Sequence, residues 1–289
     1  MIPTNRPITS REYKLMLNTE RFRDRRAGAA LFWKLLTFLV ENQGNTVLPT
    51  SDDPDQDVEK RRVTYYLDTP DYALRRADLT LRIRQETAGK KPYKTTLKAR
   101  APDRYTAAGF DLSCTQKVKA DDNKFEEDVL PPFMSRFAAS VSLKTEKSLQ
   151  LETIGDLAEL FAGIGQLDLA KTMPLRVVNG FHAHEVLHYL GKLKLDKQPT
   201  TRGAKAPDFV IKVALNHWYL RDDEDDYPLV TEFSFSCDAV MADTAANQLE
   251  LFPPTIIAGA NRLFRDLQNQ AGWLAQFGTT KTAYVFDVL

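Results

Sequence analysis

The strongest regularity in this chain is alternation. Polar and apolar residues exchange at every second position over 8–18 (ITSREYKLMLN), 61–68 (RRVTYYLD), 79–86 (LTLRIRQE) and 93–100 (YKTTLKAR). This is the period of a strand with two unlike faces. The pattern returns in 192–196 (KLKLD), 208–220 and 228–237, with weaker strand character over 110–118. Residues 20–41 read as a helix ended by Gly44. The middle of the chain, about 123–190, reads as a mostly helical segment in which prolines break the first piece. A further helical region spans about 243–272, and the tail 281–289 looks extended. Two strand groups with helices between and after them predict an α+β fold rather than a doubly wound parallel sheet. AGKKP (88–92) reads as the turn of a hairpin, the acidic stretch 49–60 as a polar loop and DDEDD (222–226) as a hairpin tip.

The same alternation sorts charge. It places Glu12 with Lys14, Arg82 with Arg84, and Lys94 with Thr96 and Lys98, while Leu79, Leu81 and Ile83 point the other way. In an open sheet such a cationic face is solvated. In a closed barrel it lines the interior, where lysines and arginines need an anion or water to compensate them. Both arrangements fit the pattern.

Composition narrows the partners. Lysine plus arginine equals aspartate plus glutamate, 39 each, so net charge offers nothing to a nucleic-acid duplex or an acidic membrane. Any anion site must come from local placement. There is no GxGxxG and no GxxxxGK[ST] phosphate loop. Cys114 and Cys237 make no disulfide framework and fit a reducing cytoplasm. The most apolar run, Ala29 to Val40, is interrupted by Lys34 and Thr37 and is too short to span a membrane. It reads as a buried helix, with a partner surface as the alternative. No targeting segment is visible in Met1 to Glu12.

Tyr65, Tyr66, Asp68, Thr69, Pro70 and Leu74, then Leu81, Arg82 and Arg84, then Thr96, Leu97 and Lys98 form a strand-turn-strand signature, preceded by Ser10-x-Glu12-x-Lys14. On these residues the first hundred positions resemble the CYTH, or triphosphate-tunnel, family, whose N-terminal element is E-x-E-x-K. The match covers about residues 8–100 well and the second half mainly by the order of elements. The resemblance implies a single tunnel domain over 1–289: a closed antiparallel β-barrel of about eight strands with helices packed outside. It implies phosphate contacts from Lys14, Arg82, Arg84, Lys94, Lys98 and Arg202, the first three also as catalytic cations. Glu12 and Glu232 are implied as ligands of Mg2+ or Mn2+, with Lys281 as a late tunnel lysine. The ligand implied is a small triphosphate-containing compound, bound and hydrolysed; the alternative is a barrel that keeps binding and has lost turnover. One residue separates Tyr66 from Asp68 where the family has its aromatic-Asp step; the other departures all concern acids. Ser10 stands for the first glutamate, Ser234 and Ser236 follow Glu232, and Asn216 sits where an aspartate often falls. Asp111, Asp196 and Asp238 are candidates to supplement the two glutamates.

One other motif competes. His184-Glu185-Val186-Leu187-His188 is an HExxH match, which on a helix would place two histidines on one face for zinc with Glu185 as base. On a strand, or at a helix end, the histidines are incidental.

Overall fold

Nine strands, most of them the alternating segments, close on one another into a barrel. In chain order the elements of the computed structural model are β1 (Ser10–Leu17), α1 (Arg25–Asn42), β2 (Thr46–Pro49), β3 (Glu59–Asp68), α2 (Ala73–Arg76), β4 (Leu79–Glu86) and β5 (Tyr93–Ala101). They continue with α3 (Arg104–Gly109), β6 (Asp122–Leu130), β7 (Met134–Thr145), α4 (Ile154–Leu160), β8 (Arg176–Val177), β9 (Ala183–Lys194), β10 (Ile211–Tyr219) and β11 (Val230–Asp238). The last are β12 (Val240–Thr244), β13 (Asn247–Leu251), α5 (Pro254–Gln268) and α6 (Lys281–Ala283). The structure describes residues 6–49, 59–88, 92–115, 120, 122–195, 211–220, 227–244, 247–275 and 280–288. The turn at 89–91, the acidic stretches 50–58 and 222–226, Asp196 and Arg202 lie outside these.

The ring runs β9-β10-β11-β1-β6-β7-β5-β4-β3 and returns to β9, with β2 added beside β9 and β8 beside β3. A closed barrel with helices outside is the expected fold. It holds nine strands, and one of its pairings, β1 with β6, is parallel while the others are antiparallel. Pairing β1 also with β11 shuts the ring.

Residues 122–145 correct the helical reading of the middle segment: they form the β6–β7 hairpin, and only Ile154–Leu160 in that region is α-helix. The stretch 110–118 holds no strand among its described residues beyond a single bridge at Cys114. The C-terminal helical region narrows to α5, preceded by the β12–β13 hairpin. The tail is not extended: α6 runs into a π-turn over Tyr284–Val288.

Outward-facing strand residues meet the helices in two cores. Leu15, Leu193, Val213, Phe233 and Phe235 pack under α1 and α5, through Phe32, Leu36, Leu263 and Phe264. Leu81, Ile83, Leu97, Val141 and Leu143 pack under Leu74, Ala107, Leu157 and Phe161. Burying such side chains contributes roughly 1.5–3 kcal/mol each, and this fixes the strand parity that turns the cations inward. Local caps set the helix starts: Asp24 accepts from Ala27 N, Asp103 from Tyr105 N, and Thr153 with Asp156 forms a capping box. Gly28 is required where α1 meets the turn before it, since a Cβ there would lie 2.3 Å from Arg21 O. No helix among the described residues is long and apolar enough to cross a membrane.

Candidate functional site

The barrel encloses a cavity of about 420 Å3. Among the described residues its lining carries eleven lysines and arginines against five carboxylates, an excess that a neutral chain produces only by sorting charge inward. Alternation does the sorting. β4 presents Thr80, Arg82 and Arg84, and β5 presents Lys94, Thr96, Lys98 and Arg100. β1 presents Glu12 and Lys14, and β11 presents Glu232, Ser234 and Ser236. Seven of the residues singled out in the sequence, Glu12, Lys14, Arg82, Arg84, Lys94, Lys98 and Glu232, therefore share one interior. Lys281 joins them from the C-terminal turn, donating to Glu232 at 2.9 Å and lying 5.6 Å from the Trp218 ring centroid.

The two sides of the cavity differ in charge. On the β5–β6–β1 side cations and carboxylates neutralise one another. Asp128, 2% exposed, accepts from Lys14 Nζ at 2.8 Å and from Arg100 at 2.9 Å, with Lys98 Nζ at 3.6 Å. Lys98 also reaches Glu126 at 3.3 Å, and Lys14 reaches Glu12 at 2.9 Å. Burial opposes the charge on Lys14, but Asp128, Glu12 and Glu232 outweigh it and raise the ammonium pKa above the ordinary range. Burial likewise opposes ionised Asp128, yet Lys14, Lys98 and Arg100 hold it well below the usual carboxylate range.

On the β3–β4 side three arginines line the wall and one acid pairs with two of them. Glu185, from β9, is 1% exposed and accepts from Arg62 at 2.7 Å, from Thr64 Oγ1 at 2.5 Å and from Asn216 Nδ2, with Arg84 at 3.5 Å. Burial would raise the Glu185 pKa, but Arg84, Arg62 and Lys281 keep it far below normal. Arg84 is left undercompensated. Burial first, then the neighbouring charges of Arg62 and Arg82, pull its pKa down to about 9 despite Glu185. Arg82 makes no ion pair with a described residue, and its Nε is buried without a hydrogen-bond partner.

Several acids escaped sequence reasoning. Asp122, Glu126 and Asp128 of β6 line the cavity, in a stretch read as helix. Their spacing of two and four residues was the signal, masked because buried Glu127 sits on the outward, otherwise apolar, face, held by Arg11 at 2.8 Å and Ser135. The cavity is thus not depleted of carboxylate: three of its five lining acids come from β6, and Glu185 of β9 stands behind its arginines. Ser10, in the place of the family's glutamate, stands opposite Glu126 and donates to it at 3.3 Å. Asp111 instead accepts from Ser113 N and Gln166, and Asp238 is exposed at the end of β11; neither lines the cavity. Asp68 of the tyrosine-aspartate-threonine signature has a structural task, accepting from the backbone N–H groups of Thr69, Leu74 and Arg75 to start α2.

The expected metal pair does not converge. Glu12 lies opposite Ser236, whereas Glu232 lies opposite Met16, four positions along the ladder. At roughly 3.3 Å per residue that is about 13 Å, too far to share an ion. Among the described residues no three His, Cys, Asp or Glu side chains stand together as a metal site. The zinc motif fails for the same geometric reason. His184 and His188 lie in strand β9, about 13 Å apart rather than one helical turn, and Glu185 is engaged by arginines.

No family model and no curated protein matches the chain. Among solved structures it is similar to a putative adenylyl cyclase from Hippeastrum, described as having a dominant triphosphatase activity, at 12% identity and a TM-score of 0.45, covering 96% of this chain and 95% of that one. It is also similar to a putative adenylate cyclase from Bacillus halodurans, at 10% identity and a TM-score of 0.39, covering 97% and 100%. A protein from Pyrococcus horikoshii matches at 11% identity and a TM-score of 0.39, covering 97% and 99%. Likeness at this level transfers no function. The class defined by the chain's own geometry is a closed β-barrel with a cation-rich interior.

Proposed function

We propose that the chain binds a triphosphate-type polyanion inside the barrel. The observation that carries this reading is the β3–β4 side of the cavity, where Arg62 and Arg84 share one carboxylate and Arg82 pairs with no described acid, its Nε buried without a partner. Buried guanidinium groups without counter-charge are unfavourable, and phosphate oxygens match their fork geometry. A single carboxylate ligand would leave most of the row unmet. A linear chain of phosphates meets several of its members at once, with Lys94, Thr96 and Lys98 next along the wall. Lys14 and Arg100 are held by Asp128 and contribute less to the ligand than Arg82 and Arg84 do. Because the expected metal glutamates do not converge, no step of this reading passes through a divalent ion.

The test is calorimetric titration with sodium tripolyphosphate in a chloride buffer free of phosphate and sulfate. Arg82→Ala is expected to weaken binding by roughly 1.5–3 kcal/mol, the size of a charge-assisted hydrogen bond. Unchanged affinity in that variant would move the ligand out of the cavity. Following inorganic phosphate release in the same samples separates a binder from a hydrolase.

A further inference from the structure

All five cavity-lining carboxylates already have a cation. Glu12 is paired with Lys14, and Glu232 with Lys281. Asp122 has Lys94 at 3.5 Å and Lys124 at 3.7 Å. Glu126 has Lys98, and Asp128 has Lys14 and Arg100. The closest approach to a shared ion site is between Glu12 and Asp128, which lie opposite each other on the parallel strands β1 and β6. The position between them is filled by the Lys14 ammonium, 2.9 Å from Glu12 Oε2 and 2.8 Å from Asp128 Oδ1. A divalent ion bridging two such acids would have to displace a side chain anchored in the middle of β1.

We propose that the cavity takes its polyanion in the metal-free form, with Lys14 as a built-in counter-cation in the place a divalent ion would occupy between Glu12 and Asp128. This rests on the polyanion reading above and names the ligand species. Chelation by magnesium cancels two of a polyphosphate's negative charges and occupies its oxygens, so a lining rich in lysine and arginine attracts the chelate less than the free anion. Magnesium therefore competes with the protein for the free ligand instead of assisting binding.

Two measurements on the full chain decide the matter. In the first, tripolyphosphate is titrated calorimetrically in chelator and again in millimolar magnesium. Binding is expected in chelator, and roughly tenfold or more weaker with magnesium, by depletion of the free ligand. Binding that needs magnesium would overturn the inference and leave the polyanion reading standing. No binding in either buffer would overturn both. In the second, Mn2+ is titrated by electron paramagnetic resonance without polyphosphate. The wild type is expected to leave the free-ion signal unchanged. Lys14→Met, and Lys14→Gln as a second variant should the first misfold, vacate the position between the two acids and are expected to bind one Mn2+. Stoichiometric Mn2+ on the wild type, or none on a folded Lys14 variant, would refute the role given to Lys14.

Discussion

Replacing Arg84 with methionine is expected to make the ligand-free barrel more stable. The guanidinium lies in a buried cluster with Arg62 and Arg82, and the surroundings pull its pKa down to about 9. At about 1.4 kcal/mol per tenfold change, that displacement corresponds to roughly 5 kcal/mol of unfavourable environment for the charged form. That displacement is already net of the 3.5 Å contact with Glu185, which favours the charge and is lost with the side chain. Glu185 keeps Arg62, Thr64 and Asn216, so no acid is left unpartnered. Methionine is flexible and apolar and fills much of the vacated space. The side chain is 18% exposed to the cavity, which screens part of that cost, and methionine restores only part of the packing, so the net gain is on the order of 2–3 kcal/mol, about 5 °C or more in melting temperature for a chain of this size. The assay is thermal melting followed by circular dichroism, in buffer free of polyvalent anions, with tripolyphosphate as the second arm. Ligand at a hundred times its dissociation constant should stabilise the wild type by about 2.7 kcal/mol and the variant far less. A lower melting temperature for Arg84→Met in the anion-free buffer would refute the idea that this arginine is strained. It would then be an ordinary member of a satisfied ion-pair network.

Two further outcomes follow from the same electrostatics. An anion beside Arg84 raises its pKa, so binding takes up a proton once pH exceeds about 9. Affinity should therefore be flat below that pH and fall above it, with an enthalpy that depends on buffer ionisation; a flat profile to pH 10 would exclude Arg84 from contact. Asp128→Asn leaves Lys14, Lys98 and Arg100 without their shared acid, and the barrel is expected to lose about 3–5 kcal/mol. Tripolyphosphate should recover part of that loss, measured as a larger ligand-induced rise in melting temperature than the wild type shows.

How much of the molecule is legible in the sequence depends on how cleanly each strand keeps its two faces apart. In β4, leucine and isoleucine alternate with arginine, so both the strand and its inward cations can be read from the pattern alone. β6 is hidden because Glu127 interrupts the apolar face and Leu130 interrupts the polar one, leaving FEEDVL with no clear period of two. β7 is hidden because Ala138, Ala139, Ser140 and Ser142 are too small and too alike to mark a face. With β6 unread, the acids of the cavity look missing. The parallel pairing of β1 and β6 is equally illegible, since strand direction leaves no mark on local pattern. In β9, HExxH resembles a helical metal motif because Glu185, Val186 and Leu187 separate the two histidines by the spacing of one helical turn.

The closure of the ring also bears on how the molecule is made. Ser10 must find Asp238, and β1 must lie between β6 and β11, so the first strand synthesised waits for the last of the ring. Contacts this distant in sequence form slowly, because the loop entropy is spent before the contact rewards it. Until then the β3–β4 hairpin holds its arginines in water, where like charges are screened and solvated. Arg62, Arg82 and Arg84 leave bulk water only when β3 meets β9 and the ring closes around them. Electrostatic strain is thus concentrated in the final assembly step, which links the folding barrier of the chain to the ionic composition of the solution in which it folds.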